Sequence, residues 1–204
     1  DPDPRVDGGG ITILRNAGIE VKTGVCAAEA ALLQRGFTAR ITQGRPMVTL
    51  KLASTLDGRI ATASGESQWI TGPAARTHVH AQRAAHDAVM VGAGTLRADD
   101  PQLTVRSMGD VPQPVRIVVS RRLDLPPAAR MFQDRAAPVW LCHGEAATTA
   151  QRGQFGRARL IECAQEGRNL DPSAVLKALG DAGLTRVYCE GGGALAASLL
   201  AAGL

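Results

Sequence analysis

A chain of 204 residues is long enough for one large domain, or for one domain with part of another. With 45% hydrophobic and 21% charged residues it has the composition of a globular protein with a real core, and is neither a disordered tail nor a membrane span. The net charge of +4 is carried by dispersed arginines and only three lysines, with no basic run. That excludes nucleic acid as the first partner and favours small phosphorylated ligands, whose oxygens match the guanidinium fork.

The chain opens on Asp1-Pro2-Asp3-Pro4 without a Met and reads as cut from something longer. Ile11 to Ala17 has helical apolar spacing and stops at Gly18, and Ile19 to Lys22 alternates like a short strand. Ala27 to Ile41 predicts one helix with Ala30, Leu33, Phe37 and Ile41 on one face. Gly44-Arg45-Pro46 breaks the pattern and marks a linker, with residues 1–44 before it and a domain at 45–204 after it.

Strands and helices then alternate. Strands are expected at Met47–Leu52, Asp87–Val91, Val115–Val119, Pro138–Cys142, Arg159–Cys163 and Arg186–Cys189. Helices are expected from Gly72-Pro73 to Arg83, from Asp171-Pro172 through Leu179, and over Ala194–Ala202. Proline suits the first helical position because its missing N–H would be unpaired there. This order predicts an α/β fold with a mixed, largely parallel sheet flanked by helices, and the last helix suggests strands beyond Leu204. Cys26, Cys142, Cys163 and Cys189 lie far apart without a C-x-x-C, so buried free thiols in a reducing cytoplasm are expected and a zinc site is not.

Several stretches have the chemistry of a site. Lys51 to Arg59 runs from an apolar strand into small and hydroxylated residues and a turn at Asp57-Gly58. Ser64 to Thr71 is a polar loop around Trp69, which either plugs the core or meets a flat ring. Gly191-Gly192-Gly193 stands between a strand and a helix, either as a pyrophosphate cradle or as a tight turn requiring positive φ. Gly92-Ala93-Gly94 fails the dinucleotide fingerprint, since Arg97 stands where the third glycine belongs. Of Asp99 and Asp100, one is expected to cap backbone N–H groups or hold a ribose, and the other to face water. Arg83 and Arg106 together suit a phosphate. Trp140 reads as core. His78, His80, His86 and His143 read as ordinary residues, with His78 and His80 on different sides of a helix.

In their order and spacing, Arg45-Pro46, Lys51–Arg59, Ser64–Thr71, Val91–Thr95, Asp99–Arg106 and Glu190–Leu199 resemble the reductase domain of the bifunctional riboflavin-biosynthesis deaminase/reductase (RibD) family. The resemblance implies a dihydrofolate-reductase-like fold, truncated at its C-terminus, with residues 1–44 as the tail of a cytidine-deaminase-like domain. The deaminase's zinc signature does not occur in the sequence, so zinc belongs only to the absent deaminase part. The resemblance further implies NADPH-dependent reduction of 5-amino-6-(5-phosphoribosylamino)uracil in the cytoplasm by a homo-oligomer. It places Ala53, Trp69, Thr95, Asp99, Gly192, Gly193, Ala194, Leu195, Ala196, Ala197 and Ser198 around the cofactor, and Ser120 and Arg121 are added there as candidates on their own chemistry. Ser67, Arg83, Leu103, Arg106 and Glu190 fall to the substrate.

Ser120-Arg121-Arg122 departs from the family's Asp-Ser and would suit the 2′-phosphate of NADPH. Glu190, Asp57 and water are the proton donors to weigh, with Glu190 as a plain substrate ligand the blander choice. The competing readings are a reductase of this fold acting on a pterin or another pyrimidine, a nucleotide-binding fragment without turnover, and an ordinary NAD-dependent dehydrogenase.

Overall fold

The structure, a computed structural model, describes residues 2–204; Asp1 of the opening segment lies outside the described residues. Its strands are β1 (Met47–Leu50), β2 (Ala88–Gly92), β3 (Val115–Val119), β4 (Val139–His143), β5 (Arg159–Glu162), β6 (Gln165–Glu166), β7 (Asn169–Leu170) and β8 (Arg186–Cys189). Its helices are α1 (Gly9–Asn16), α2 (Ala27–Leu33), α3 (Arg35–Gln43), α4 (Pro73–Ala84), α5 (Ala93–Asp99), α6 (Arg130–Gln133), α7 (Thr149–Gly153), α8 (Pro172–Asp181) and α9 (Gly193–Ala201).

Six strands form one sheet in the order β1-β8-β2-β3-β4-β5. Every pairing in it is parallel, with Val48 opposite Val187, Val89 opposite Tyr188 and Val118 opposite Leu141. A parallel sheet buried on both faces favours near-continuous apolar runs, which is why Ala-Val-Met-Val in β2 does not alternate. Ala88, Met90, Ile117, Cys142, Val187 and Cys189 pack on one face with Val175, Leu176 and Leu179 of α8 and Leu199 of α9. Val89, Val91, Val118 and Leu141 pack on the other with Leu96 of α5, Met131 of α6 and Phe155. The expected sheet was mixed; the six-stranded sheet is wholly parallel, and the only antiparallel pair among the described residues is the small β6–β7 hairpin.

The predicted strands and helices of residues 47–204 recur within a few residues, and Pro73 takes the first position of α4 as expected. Asp171 caps α8 by accepting the Ser173 N–H at 2.8 Å. Three expectations for the first 45 residues fail. Ile19–Lys22 is not a strand: alternation alone gives no strand where no neighbour offers a ladder. The single helix over Ala27–Ile41 breaks at Gln34 into α2 and α3, and Ala30 and Leu33 face solvent while Phe37 and Ile41 are half-buried. Cys26 is exposed, unlike the other three cysteines, because α2 buries none of its residues.

Helix α3 is held to the sheet. Arg40 Nε donates to Gly180 O at 3.0 Å, and Gly36 lies so close to Arg186 that a Cβ would sit 2.6 Å from its Cγ. Among the described residues no helix is long and apolar enough to cross a membrane.

Candidate active site

The carboxyl ends of β1, β8 and β2 lie side by side, and each leads into one of the sequence-predicted motifs. In open parallel sheets the ends of the strands leave the crevice where ligands bind.

From β1 the chain enters an exposed loop of two threonine-pinned turns. The N–H of Thr55 donates to Arg59 O at 2.9 Å, and that of Glu66 to Thr62 Oγ1 at 3.0 Å. Asp57 sits on the first turn, exposed, and accepts the Thr55 hydroxyl. Ala53 is half-buried at the loop's root. Ser54, Thr55, Ser67 and Trp69 are among the residues lining a cavity of about 560 Å3. Trp69 does not plug the core: it is 70% exposed, follows a cis peptide after Gln68, and lies under the Arg76 guanidinium 4.9 Å from its ring centre.

From β8 the chain enters Gly191–Gly193 and then α9. None of the three glycines has positive φ, so the tight-turn reading fails; close approach requires them instead. A Cβ on Gly191 would meet Leu195 at 2.6 Å, one on Gly192 the Thr95 hydroxyl at 3.3 Å, and one on Gly193 the Ile60 side chain at 3.3 Å. The Gly192 N–H donates to Thr95 Oγ1 at 3.0 Å, joining the head of α9 to α5. No side chain caps α9, and the N–H groups of Gly193 and Ala194 have no partner among the described residues. Such a helix head suits phosphate oxygens. Leu195 lies in this first turn. Farther along, Ala196 is buried, Ala197 is exposed, and the Ser198 hydroxyl donates to Leu195 O at 2.8 Å.

Glu190, between β8 and the glycines, accepts Arg83 Nε at 2.6 Å and Nη2 at 2.9 Å. The pair is nearly buried, and Arg83 Nη1 donates to Thr104 O at 2.8 Å. Sequence reasoning placed both residues at the substrate but missed that they hold each other. His80, one turn before Arg83 on α4, accepts the Arg106 backbone N–H on Nδ1 at 3.2 Å. Burial first, then the Arg83 and Arg106 guanidiniums, lower the His80 pKa; Glu190 and the Thr104 carbonyl oppose them. His78 faces outward to Gln82, so the two histidines do lie on different sides, but His80 is not an ordinary surface residue. The i,i+3 spacing from Arg83 was its one signal. Tyr188 of β8 is pushed up to about 12 by burial and the Glu190 charge, with Arg83 opposing.

The Arg106 side chain is exposed and makes no hydrogen bond or ion pair among the described residues. The Leu103 side chain is in the core, with its backbone at φ 55°. Asp99 and Asp100 divide as expected: Asp100 accepts the Arg130 N–H at 2.8 Å at the start of α6, while Asp99 is exposed at the end of α5. Ser120 is buried at the end of β3, Arg121 is half-buried and Arg122 exposed. Trp140 packs against the core under Arg159.

A larger cavity, about 690 Å3, opens at the opposite ends of β4 and β5 around Phe132, Asp134 and Phe155. Asp134 there balances Arg116, which is fully buried inside β3. Arg135 and Arg157 also line it, and none of the candidate site residues does. Among the described residues no group of three or more His, Cys, Asp or Glu could hold a metal ion.

Residues 46–204 match the family model described as the RibD C-terminal domain. A riboflavin biosynthesis protein RibD of Bacillus amyloliquefaciens is 39% identical over 203 residues, covering 100% of this chain and 55% of that protein. The RibD structure of Acinetobacter baumannii superposes with a TM-score of 0.85 at 38% identity, covering 100% of this chain and 56% of that one. A deaminase/5-amino-6-(5-phosphoribosylamino)uracil reductase of Thermotoga maritima superposes with a TM-score of 0.82 at 34% identity, over 99% of this chain and 54% of that one. The chain thus spans about half the length of these relatives. By the match over residues 46–204 and the identity to these relatives, the chain belongs to the RibD C-terminal domain family.

Proposed function

We propose that this chain reduces 5-amino-6-(5-phosphoribosylamino)uracil to its 5-phosphoribitylamino counterpart with NADPH, as the name of the Thermotoga relative suggests. One observation carries the reading: the unpaired N–H groups at the head of α9 begin three residues after the Glu190 of an Arg–Glu pair, beside an unpartnered arginine. That juxtaposes a place for a pyrophosphate with a place for a polar, anionic substrate.

The residues fit the cofactor. Two N–H groups at the head of α9 await acceptors, and Thr95 fixes the strand-to-helix turn. Ala53, Trp69, Thr95, Asp99 and the first turn of α9 would hold it, with Ser120 and Arg121 toward its adenosine side. NADPH would supply a hydride. The protein's own part is to hold the sugar's C1′ open as an imine or aldehyde in near-attack geometry. Both Glu190 oxygens accept from Arg83, so Glu190 acts as an orienting ligand; Asp57 and solvent remain as proton sources. Ser67, the backbone of Leu103, Arg106 and Arg83 complete the substrate side. The same reading gives a cytoplasmic homo-oligomer that acts on neither nucleic acid nor membranes.

A second reading has its own support. Arg83 has donors to Glu190 and to Thr104, which leaves Arg106 as the free guanidinium; a related pterin or pyrimidine without a phosphate would need no more. Titration with NADPH and NADH, followed by tryptophan fluorescence, tests the cofactor. Saturable quenching, stronger for NADPH and absent in Trp69→Phe, is expected; no response to either nucleotide sinks the reading. Arg106→Ala should then raise KM for the phosphorylated substrate about tenfold, the loss of one charge-assisted contact. An unchanged KM would favour the pterin or pyrimidine.

A further inference from the structure

Residues 101–106 join no strand, and residues 101–113 make no backbone–backbone hydrogen bond among the described residues. Side chains take the place of a neighbouring strand at three consecutive residues. Arg83 holds Thr104 O. Gln113 holds Val105 twice, accepting its N–H at 2.8 Å and donating to its O at 3.2 Å. His80 Nδ1 accepts the N–H of Arg106 itself at 3.2 Å.

The arrangement is stiff on both sides. Gln113 stands between Pro112 and Pro114, whose rings fix φ and restrict the residues before them. His80 projects from the middle of α4, a turn ahead of Arg83. Immediately after Arg106 the restraint ends: Ser107 and Gly109 take positive φ, and residues 106–110 are exposed. Arg106 is therefore the last fixed residue before a free loop, and its side chain is unpaired.

We infer that His80 and Gln113 are positioning residues that aim Arg106 at the anionic group of the substrate. This rests on the proposed reductase reading. An acceptor at Nδ1 requires the neutral ring with its proton on Nε2. Burial and the guanidiniums of Arg83 and Arg106 favour that neutral ring against the opposing Glu190 and Thr104 carbonyl. A guanidinium on a long, flexible stem gains most when its backbone is fixed, because small misplacement forfeits the contact.

Steady-state kinetics with 5-amino-6-(5-phosphoribosylamino)uracil test the inference. His80→Leu and Gln113→Leu should each raise KM for this substrate about fivefold, the worth of one net hydrogen bond. The kcat and the NADPH dissociation constant should stay unchanged. His80→Asn, whose amide oxygen accepts near the Nδ1 position, should restore KM. In an Arg106→Ala background His80→Leu should add nothing, whereas a general structural role would add its full effect. An unchanged KM in both leucine variants, or additive losses, overturns the inference. So does an Arg106→Ala variant of normal KM that still oxidises NADPH, which keeps a reductase but turns its substrate toward the pterin or pyrimidine. Wild-type protein that oxidises no NADPH with this substrate ends both.

Discussion

Glu190 and Arg83 face each other at a nearly buried position, and neither is replaceable without stranding the other. Removing one member of such a pair leaves an uncompensated charge out of water, which costs more than the pair gains. Glu190→Ala should therefore lower unfolding free energy by about 3 kcal/mol, read from the urea midpoint. Glu190→Gln keeps an oxygen for Arg83 and should weaken substrate binding while retaining most turnover. A collapse of kcat in Glu190→Gln with stability intact would restore Glu190 as the proton donor. Arg83 was legible as one of two arginines suited to a phosphate, and Glu190 through the family resemblance of the motif it opens. The sequence did not show their pairing, since residues 83 and 190 meet only when β2 and β8 lie adjacent. Gln113 was invisible, and His80 marked only by its spacing from Arg83, for a different reason: their partners are backbone atoms, which carry no sequence signal.

At the scale of elements, His86 joins α4 to the sheet. Its Nδ1–H donates to the Gln82 carbonyl at 2.6 Å, so Nε2 must accept the Thr49 hydroxyl of β1 at 2.8 Å. The ring also meets Tyr188 of β8, with centroids 5.3 Å apart. Burial is the first cause lowering its pKa from 6.5, with Arg186 adding to it, while the Gln82 carbonyl and Asp87 oppose. On acidification the unfolded chain takes up this proton before the folded one, so stability rises with pH across that interval. The contribution is whole above about 6.5 and falls away as pH drops toward the lowered folded value; His80 acts in the same direction. The urea midpoint should be higher at pH 8 than at pH 5.5, and His86→Gln should shrink the difference. An undiminished pH dependence in the variant would refute this. The strands that bind these elements were legible because a doubly buried parallel strand leaves an apolar run, unbroken in the Ala-Val-Met-Val of β2 and interrupted only by Arg116 in Val115–Val119, where prediction and structure coincide. Helix α5 was not, because Gly92-Ala93-Gly94 hides its start. The β6–β7 hairpin is two residues a side around Gly167, too short for periodicity to register.

Over the whole molecule, apolar exposure is uneven. Val6, Ile13, Leu14, Ile19, Val25, Leu32 and Leu33 are all exposed, and α1 and α2 bury no residue. The body of the fold gains little from α1. Deleting residues 1–25 should move the thermal midpoint by less than about 4 °C and reduce the binding of a hydrophobic dye such as ANS. A larger loss of stability would mean that α1 contributes to the core in solution. The sheet order has a consequence in time. Strand β1 pairs only with β8, so Met47 waits for Arg186, on the order of ten seconds later on a translating ribosome. Until then a strand edge stands open, the sort of surface that chaperones cover and that aggregates when they do not. The late strand is also the one that delivers Glu190 and the glycine run. A nascent chain stalled before residue 186 can therefore assemble β2 to β5 yet own no part of the β8 end, and the candidate site stays incomplete until β8 emerges.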